Sequence, residues 1–254
     1  MIFESKYFSF NGRKSTTYGI HNIKVDDGLY NDPLTGERSI LETGSGDGNR
    51  RYFFGVKKEP KVLNLSFAFF EPWNDKLINE IIRWLVVDEY KPLFFSENID
   101  RVFYVMPIND IRKIHNGLKQ GYITITMRCD SLYSYSDKQV TPWYDLTKSH
   151  SKEIKIINRG HYPIKPEVEI WKVKDGDIKI RNKTDGNREM AVSNLLDGEK
   201  VIIDCNREII ETDISDMYRY DDFNNTYLTL LYGENVLTIE GTGYIQFRYR
   251  YLYN

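Results

Sequence analysis

The chain has 254 residues, enough for one large domain or two smaller ones that each bury a hydrophobic core. Its 35 basic and 37 acidic residues nearly cancel, so the overall charge does not favour binding to nucleic acid. The sequence contains only two cysteines, no signal-peptide pattern and no apolar run long enough to cross a membrane. We therefore expect a soluble protein, made in the cytosol, that does not insert into membranes.

The N-terminal part of the sequence predicts strands and a long excursion. Residues 1–30 are expected to form two strands around Asn11-Gly12, a dipeptide suited to a tight hairpin turn. The glycine-rich stretch "ETGSGDGNRRYFFG" at 42–55 raises the possibility of a phosphate-binding loop, which requires a helix directly after the glycines. The residues that follow are aromatic and β-branched and favour a strand, so the sequence does not predict a phosphate site.

One helix is predicted in "EPWNDKLINEIIRWLVVDEY". Asn74 is the expected N-cap, and Pro92 prevents the helix from continuing. Trp84 lies beside the apolar stripe and is expected at the rim of the core. The stripe itself consists of Leu77, Ile78, Ile81, Ile82, Leu85 and Val86.

The second half of the chain predicts an all-β domain. The hydrophobic pattern lapses around residues 131–150, where Ser, Thr and Pro accumulate. Beyond this point, short alternating runs are separated by turn dipeptides such as Asp185-Gly186 and Asp197-Gly198, a pattern typical of β-sandwiches. We expect an N-terminal domain at 1–135, a linker at 136–150 and a C-terminal domain at 151–254.

The sequence shows no catalytic or metal-binding pattern. The four histidines lack the spacing of zinc ligands, and neither Cys129 nor Cys205 has a Cys or His within four residues. Both cysteines lie in predicted strands, where a buried thiol is the usual role, although a Cys129–histidine pair brought together by the fold remains open. We therefore predict no enzyme activity, no metal and no cofactor, which shifts weight to a structural or binding role.

The N-terminal stretch "YFSFNGRKSTTYGI" resembles the opening of siphophage distal tail (Dit) proteins, with Phe10-Asn11-Gly12 followed by Tyr18-Gly19. The resemblance covers nearly the whole chain, and it depends on the order and spacing of its motifs. Arg128-Cys129-Asp130 departs from it, because many relatives have an aromatic residue and a proline there. The further motifs, in family order, are Gly48-Asn49-Arg50, the strand Leu63–Phe69, the helix containing Arg83-Trp84-Leu85, Leu93-Phe94-Phe95, Asn158-Arg159-Gly160 and "NLLDGEKVIIDC".

The resemblance implies a mainly β fold with one helix. The N-terminal domain would be a β-sandwich with one α-helix and a protruding β-hairpin arm, followed by a C-terminal sandwich like those of galectins or carbohydrate-binding modules. It further implies a non-enzymatic homo-hexameric ring in the virion tail tip, assembled in the host cytoplasm. The tail tube protein would bind one face, a tail-associated lysin or fibre/receptor-binding protein the other, and DNA would pass through the lumen.

Within this family, residues 36–58 would be the protruding arm, with strands "ERSILET" and "RRYFFGVKK" joined by the turn "GSGDGN". An isolated hairpin is marginally stable in water, so its aromatic rings need another surface, which a neighbouring subunit can supply. The residues expected at this subunit interface are Arg50, Arg51, Tyr52, Phe53 and Phe54.

An alternative is a tail-tip module that binds host cell-wall glycans through exposed aromatic side chains. The candidates for glycan contact are Trp171, Tyr218 and Tyr220. From its place in "EVEIWKV", Trp171 is expected more often in the core than on a sugar-binding surface. The chain is also too short to carry the large inserted carbohydrate-binding modules of some relatives, which favours the structural hypothesis.

Overall fold

The computed structural model describes residues 5–23, 35–44 and 50–254. In these residues the protein is mostly β with one α-helix, as the sequence predicts. The chain divides into two compact units, Met1–Tyr135 together with Asn254 (unit 1) and Ser136–Tyr253 (unit 2).

Most strands of unit 1 belong to one sheet, whose strands pair in the order β2-β1-β7-β8-β9-β6-β3. β4 and β5 form a separate two-stranded sheet, and β10 pairs with β8. The elements are β1 (Phe8–Phe10), β2 (Arg13–Lys14), β3 (Ile20–Ile23), β4 (Arg38–Gly44), β5 (Arg51–Lys58), β6 (Val62–Phe69), α1 (Asp75–Leu85), β7 (Lys91–Phe95), β8 (Asn98–His115), β9 (Gly121–Cys129) and β10 (Ser134–Tyr135).

The turn predicted at Asn11-Gly12 joins β1 to β2. Both residues have positive φ angles, 47° and 74°, as the tight turns of two-residue hairpins require. Ser9 pairs with Lys14 and Phe10 with Arg13 across this hairpin.

Helix α1 begins where its sequence predicts, but its packing differs from the prediction. The Asn74 side chain accepts a hydrogen bond of 2.8 Å from the Leu77 amide, which satisfies one free amide of the first turn. Trp84 is a central core residue rather than a rim residue. Its ring stacks on Tyr18 with centroids 4.7 Å apart, and its Nε1 donates to the Phe10 carbonyl at 2.9 Å.

The predicted apolar stripe of α1 is only partly covered. Ile81 and Leu85 are buried with Trp84, whereas Ile82 and Val86 remain 43% and 47% exposed. The core of unit 1 therefore lies under one edge of the predicted stripe, and the other edge faces solvent.

Unit 2 is a sandwich of two antiparallel sheets around one core. One sheet has the strand order β11-β20-β14-β17-β18, with β12 also on β20, and the other has the order β13-β19-β15-β16. The strands are β11 (Gln139–Val140), β12 (Tyr144–Asp145), β13 (Ser151–Asn158), β14 (Glu167–Lys172), β15 (Gly176–Asn182), β16 (Arg188–Leu195), β17 (Lys200–Asp204), β18 (Ile209–Thr212), β19 (Gly233–Gly241), β20 (Gly243–Tyr249) and β21 (Leu252–Tyr253).

Two segments of unit 2 differ from the expected pattern. Residues 136–150, expected as a linker, contain β11 and β12, and Leu146 is fully buried in the core. The alternating run "TYLTLLYG" at 226–233 is not a strand before Gly233, which begins β19, because residues 226–232 pair with a neighbour at one point, between Leu230 and Ile164. Leu228 and Leu230 nevertheless point into the core, which explains the alternation.

Three buried charged side chains support the loops of unit 2. Lys172, at the end of β14, is 1% exposed, and its Nζ donates to the carbonyls of Val173, Lys174 and Thr242 at 3.3, 2.6 and 3.1 Å. Burial lowers the pKa of Lys172. Glu199 and Arg219 form a buried ion pair with two hydrogen bonds, of 2.8 and 2.6 Å.

Candidate interface site

Strands β4 and β5 form a hairpin that pairs with no other strand among the described residues. Its base is anchored, since the Glu59 amide donates to the Glu37 carbonyl at 2.9 Å and the Lys61 amide donates to the Ser131 carbonyl at 3.2 Å. The two strands are those expected from "ERSILET" and "RRYFFGVKK". The predicted turn lies largely outside the described residues, which resume at Arg50.

The hairpin exposes large apolar side chains to solvent. Tyr52, Phe53 and Phe54 are 55%, 66% and 70% exposed. Ile40 and Leu41, which the sequence analysis did not name as site residues, are 63% and 47% exposed. The signal for these two was present in "SILE", since apolar residues in a strand without a covering layer must face water. The hairpin therefore exposes five large apolar side chains, more than the aromatic residues alone would give.

The strand register sorts these side chains onto two faces. Residues paired across antiparallel strands share a face, and alternate residues along a strand also share one. Arg38 pairs with Lys58, Ile40 with Val56 and, after a register shift, Glu42 with Phe53. We call the face that carries these three pairs the hairpin face. Ser39 and Leu41 lie on the opposite face.

Charged residues stand at both ends of the hairpin face. Glu42 accepts a hydrogen bond of 2.8 Å from Arg51 near the turn, and Arg50 is exposed beside it. At the base, Arg38 and Lys58 lie directly opposite each other, and neither has an ion-pair partner among the described residues. Two cations in this arrangement repel each other, so an anion brought to this end would be stabilised.

A second apolar surface of unit 1 lies between α1 and β8. It is a groove of about 420 Å³, and we call it the α1–β8 groove. β8 bends at its edge, because Asn109 has a φ angle of 61° and the pairing register with β9 shifts between Ile108 and Arg112. The apolar residues that line it are Ile78, Ile82, Val86, Val87, Pro107, Ile108, Ile111 and Ile123.

In unit 2, Trp171 lies on the outward face of β14 and is 45% exposed, so the expectation that it belongs to the core is wrong. Its alternation partner on that face is Glu169, whereas Lys172 takes the inward position. The Trp171 ring contacts Tyr244 on β20 with centroids 5.7 Å apart, and Lys200 Nζ lies 5.2 Å from its centre. Tyr244 was not identified from the sequence.

Tyr218 and Tyr220, the other predicted glycan contacts, lie in the segment after β18. They are 82% and 42% exposed, because the intervening Arg219 points inward to Glu199. The Trp171 ring contacts the ring of Tyr244 and not that of Tyr218 or Tyr220. The three predicted residues therefore do not form one stacked platform.

Neither cysteine lies in an environment that favours a nucleophile. Cys129 and Cys205 are both free and fully buried. Burial raises the pKa of each thiol to about 12, so the reactive thiolate is scarce at neutral pH. Within residues 5–23, 35–44 and 50–254, no cluster of three or more His, Cys, Asp or Glu side chains could hold a metal ion. Among the same residues, no helix is long and apolar enough to span a membrane.

Comparison with known proteins identifies the class of this chain. A family model described as a phage tail protein N-terminal domain matches residues 3–131, and one described as a phage tail C-terminal domain matches residues 133–249. The chain therefore belongs to this family of phage tail proteins.

One curated relative and two solved structures are similar to this chain. The SPbeta prophage-derived uncharacterized protein YomH of Bacillus subtilis (strain 168) is 35% identical over 253 residues, covering 100% of both chains. The Dit protein of phage SPP1, described as a paradigm of the hub adsorption apparatus in phages that infect Gram-positive bacteria, superposes with a TM-score of 0.69 at 14% identity. That match covers 97% of this chain and 99% of the SPP1 protein.

The baseplate of phage P2 in its activated conformation with Ca matches with a TM-score of 0.47 at 9% identity, covering 92% of this chain and 90% of the matched chain. The match to the SPP1 protein shows that the fold is that of a distal tail protein, which confirms the resemblance noted in the sequence.

Proposed function

We propose that this phage tail protein is a non-enzymatic hub of the tail tip. Six copies form a ring in the virion, one face binds the tail tube protein and the other binds a tail-associated lysin or a fibre protein. DNA passes through the central opening during infection, and the ring assembles in the host cytoplasm. The distal tail fold and the family of phage tail proteins support this role.

The exposed hairpin β4–β5 is the observation that carries the proposal. A two-stranded hairpin with no covering layer is marginally stable in water. Three of its aromatic side chains remain more than half exposed. Full burial of each large apolar side chain stabilises a protein by roughly 1.5–3 kcal/mol, and this chain leaves most of that stabilisation unused. A neighbouring subunit is the surface that would bury them, which makes Arg50, Arg51, Tyr52, Phe53 and Phe54 the proposed interface residues.

The ring can be tested on the full-length chain by light scattering and negative-stain electron microscopy. We expect six-fold rings from the wild type and monomers from the triple variant Tyr52→Ser/Phe53→Ser/Phe54→Ser. The circular dichroism spectrum should stay unchanged, because these side chains touch little within one chain. Tyr232→Ser in unit 2 is the matched control, since Tyr232 is 71% exposed and outside the hairpin. Rings of unchanged mass from the triple variant would reject the hairpin as the subunit contact.

Glycan binding by unit 2 is the second candidate function, and the outward position of Trp171 beside Tyr244 is the observation that favours it. Aromatic rings exposed on a sheet can stack on sugar rings. We expect Trp171→Ala to abolish binding of the chain to host cell-wall fragments, with smaller losses for Tyr218→Ala and Tyr220→Ala. Calorimetric titration with Tyr232→Ala as control measures this. Equal heats for the wild type and the Trp171 variant would exclude the site.

A further inference from the structure

Unit 1 presents two apolar surfaces that do not contact each other within one chain. One is the hairpin face, with Ile40, Val56 and Phe53 on paired strands. The other is the α1–β8 groove, where Ile82 and Val86 are exposed beside the bend of β8. Each surface exposes side chains that are normally covered, so each lacks a partner of apolar character.

The charges near the two surfaces are complementary. Arg38 and Lys58 form an unpaired basic pair at the base of the hairpin face. The α1–β8 groove is lined at one end by Asp88, which follows α1, is exposed and has no ion-pair partner among the described residues. The cation that also lines the groove, Lys113, lies over the Trp73 ring with its Nζ 5.4 Å from the ring centre. The groove therefore offers a free anion where the hairpin face offers two free cations.

We propose that the α1–β8 groove is the receptor for the hairpin face of a second copy of this chain. Ile40, Val56 and Phe53 of one copy pack on Ile82 and Val86 of the next, while Arg38 and Lys58 approach Asp88. This inference builds on the proposed function, in which the hairpin joins neighbouring subunits, and adds the surface that receives it.

Two geometric considerations support a second copy as the occupant. The hairpin face and the groove are different surfaces of the same unit, so their contact is head-to-tail, and a head-to-tail contact that closes produces a ring. The Phe53 ring on the hairpin face can bury up to about 150–250 Å². A stable interface buries about 800 Å² per partner, so Phe53 with Ile40 and Val56 supplies part of it.

Cross-linking between copies tests the contact directly. The full-length variant Ile40→Cys/Ile82→Cys places one thiol on the hairpin face and one in the groove. With a short thiol-reactive cross-linker, we expect a ladder of covalent multimers up to the hexamer on a denaturing gel. Ser39→Cys/Ile82→Cys is the matched control, because Ser39 lies on the opposite face of the hairpin, and its ladder should be lost. The native Cys129 and Cys205 are buried and do not compete.

Charge reversal provides the second measurement. We expect Asp88→Lys to weaken assembly by about tenfold or more, because it sets three cations against one another at the contact. Arg38→Glu/Lys58→Glu should weaken assembly similarly when paired with the native Asp88. The variant Arg38→Glu/Lys58→Glu/Asp88→Lys, which reverses both sides of the contact, should restore the affinity between subunits. Sedimentation measures the assembly of each variant.

The outcomes separate this inference from the ring itself. Wild-type rings without an Ile40–Ile82 cross-link, or equal ladders from the Ser39 control, overturn the groove as receptor and leave the ring standing. The groove is also rejected as the receptor if Asp88→Lys forms rings as readily as the wild type and the variant that combines all three charge reversals assembles no differently. A wild-type chain that never assembles overturns both.

Discussion

At the scale of single residues, the buried Glu199–Arg219 ion pair holds the segment after β18 against the turn that precedes β17 in the same unit. Glu199 is 2% exposed, and its carboxylate accepts hydrogen bonds from Arg219, from Thr212 Oγ1 and from the Leu196 amide. Burial alone would raise the pKa of this carboxyl, but these hydrogen bonds, with Arg219 the largest contributor, outweigh it and hold the pKa below its usual range. A carboxyl group with a lowered pKa in the folded state stabilises the fold above its ordinary pKa.

We therefore predict that Glu199→Gln lowers the free energy of unfolding of unit 2 at neutral pH. Removing one partner of a buried ion pair costs roughly 3–5 kcal/mol, and we expect the lower end because Arg219 keeps its contact with Asp222 at 2.8 Å. The stabilisation is lost as the pH falls through the lowered pKa, so the difference between wild type and variant should shrink in acid.

Urea unfolding of the full chain as a function of pH measures this effect. Glu211→Gln on β18 is the control, since Glu211 is exposed and has no ion-pair partner among the described residues. Indistinguishable midpoints for the two variants would show that the buried pair contributes no net stability.

The residue scale also shows what alternation predicts. The pattern of β14 correctly separates two faces, with Glu169 and Trp171 on one and Ile170 and Lys172 on the other. Polarity then favours Trp171 over Lys172 as the inward residue, because tryptophan is usually more buried than lysine, and the structure shows the reverse. Lys172 can be inward because three carbonyl groups from nearby loops accept its hydrogen bonds, and loop positions are not visible in a sequence.

At the scale of elements, the start of α1 is set by its N-cap. The Asn74 side chain is the acceptor for the Leu77 amide. We predict that Asn74→Ala destabilises unit 1 by about 1 kcal/mol, whereas Asn74→Ser, which retains an acceptor, stays close to the wild type. Thermal unfolding followed by circular dichroism distinguishes them. Equal losses for both variants would point to contacts of the amide group other than capping.

The element scale separates what periodicity predicts from what it does not. The start of α1 was predicted because the N-cap signal at Asn74 is local. Its end was not, since the helix stops at Leu85, well before the stop signal at Pro92. The exposure of Ile82 and Val86 was not predicted either, because a helical period defines an apolar stripe but does not show which neighbouring element covers it. The length of β8 is also hidden from periodicity, since the polar stretch "NDIRK" interrupts the alternation at the bulge where the strand bends.

At the scale of the whole molecule, the fold class follows from composition and pattern, whereas the function follows from resemblance. Alternating strands and one capped helix predict a β-rich chain, and the order of weak motifs from Phe10-Asn11-Gly12 to Gly198-Glu199 predicts the distal tail fold. The extent of unit 2 was harder to predict. Residues 136–150 look like a linker because β11 and β12 are two residues long, too short to produce a pattern.

Lys172 gives unit 2 a cation that is covalently tethered to its site. A metal ion held by three carbonyl oxygens would exchange with solvent, and its occupancy would follow its free concentration. The ammonium group of Lys172 cannot diffuse away, so its effective concentration does not depend on the ionic composition of the medium. The loops around Val173 and Thr242 therefore keep their bound cation through dilution and in the presence of chelating agents.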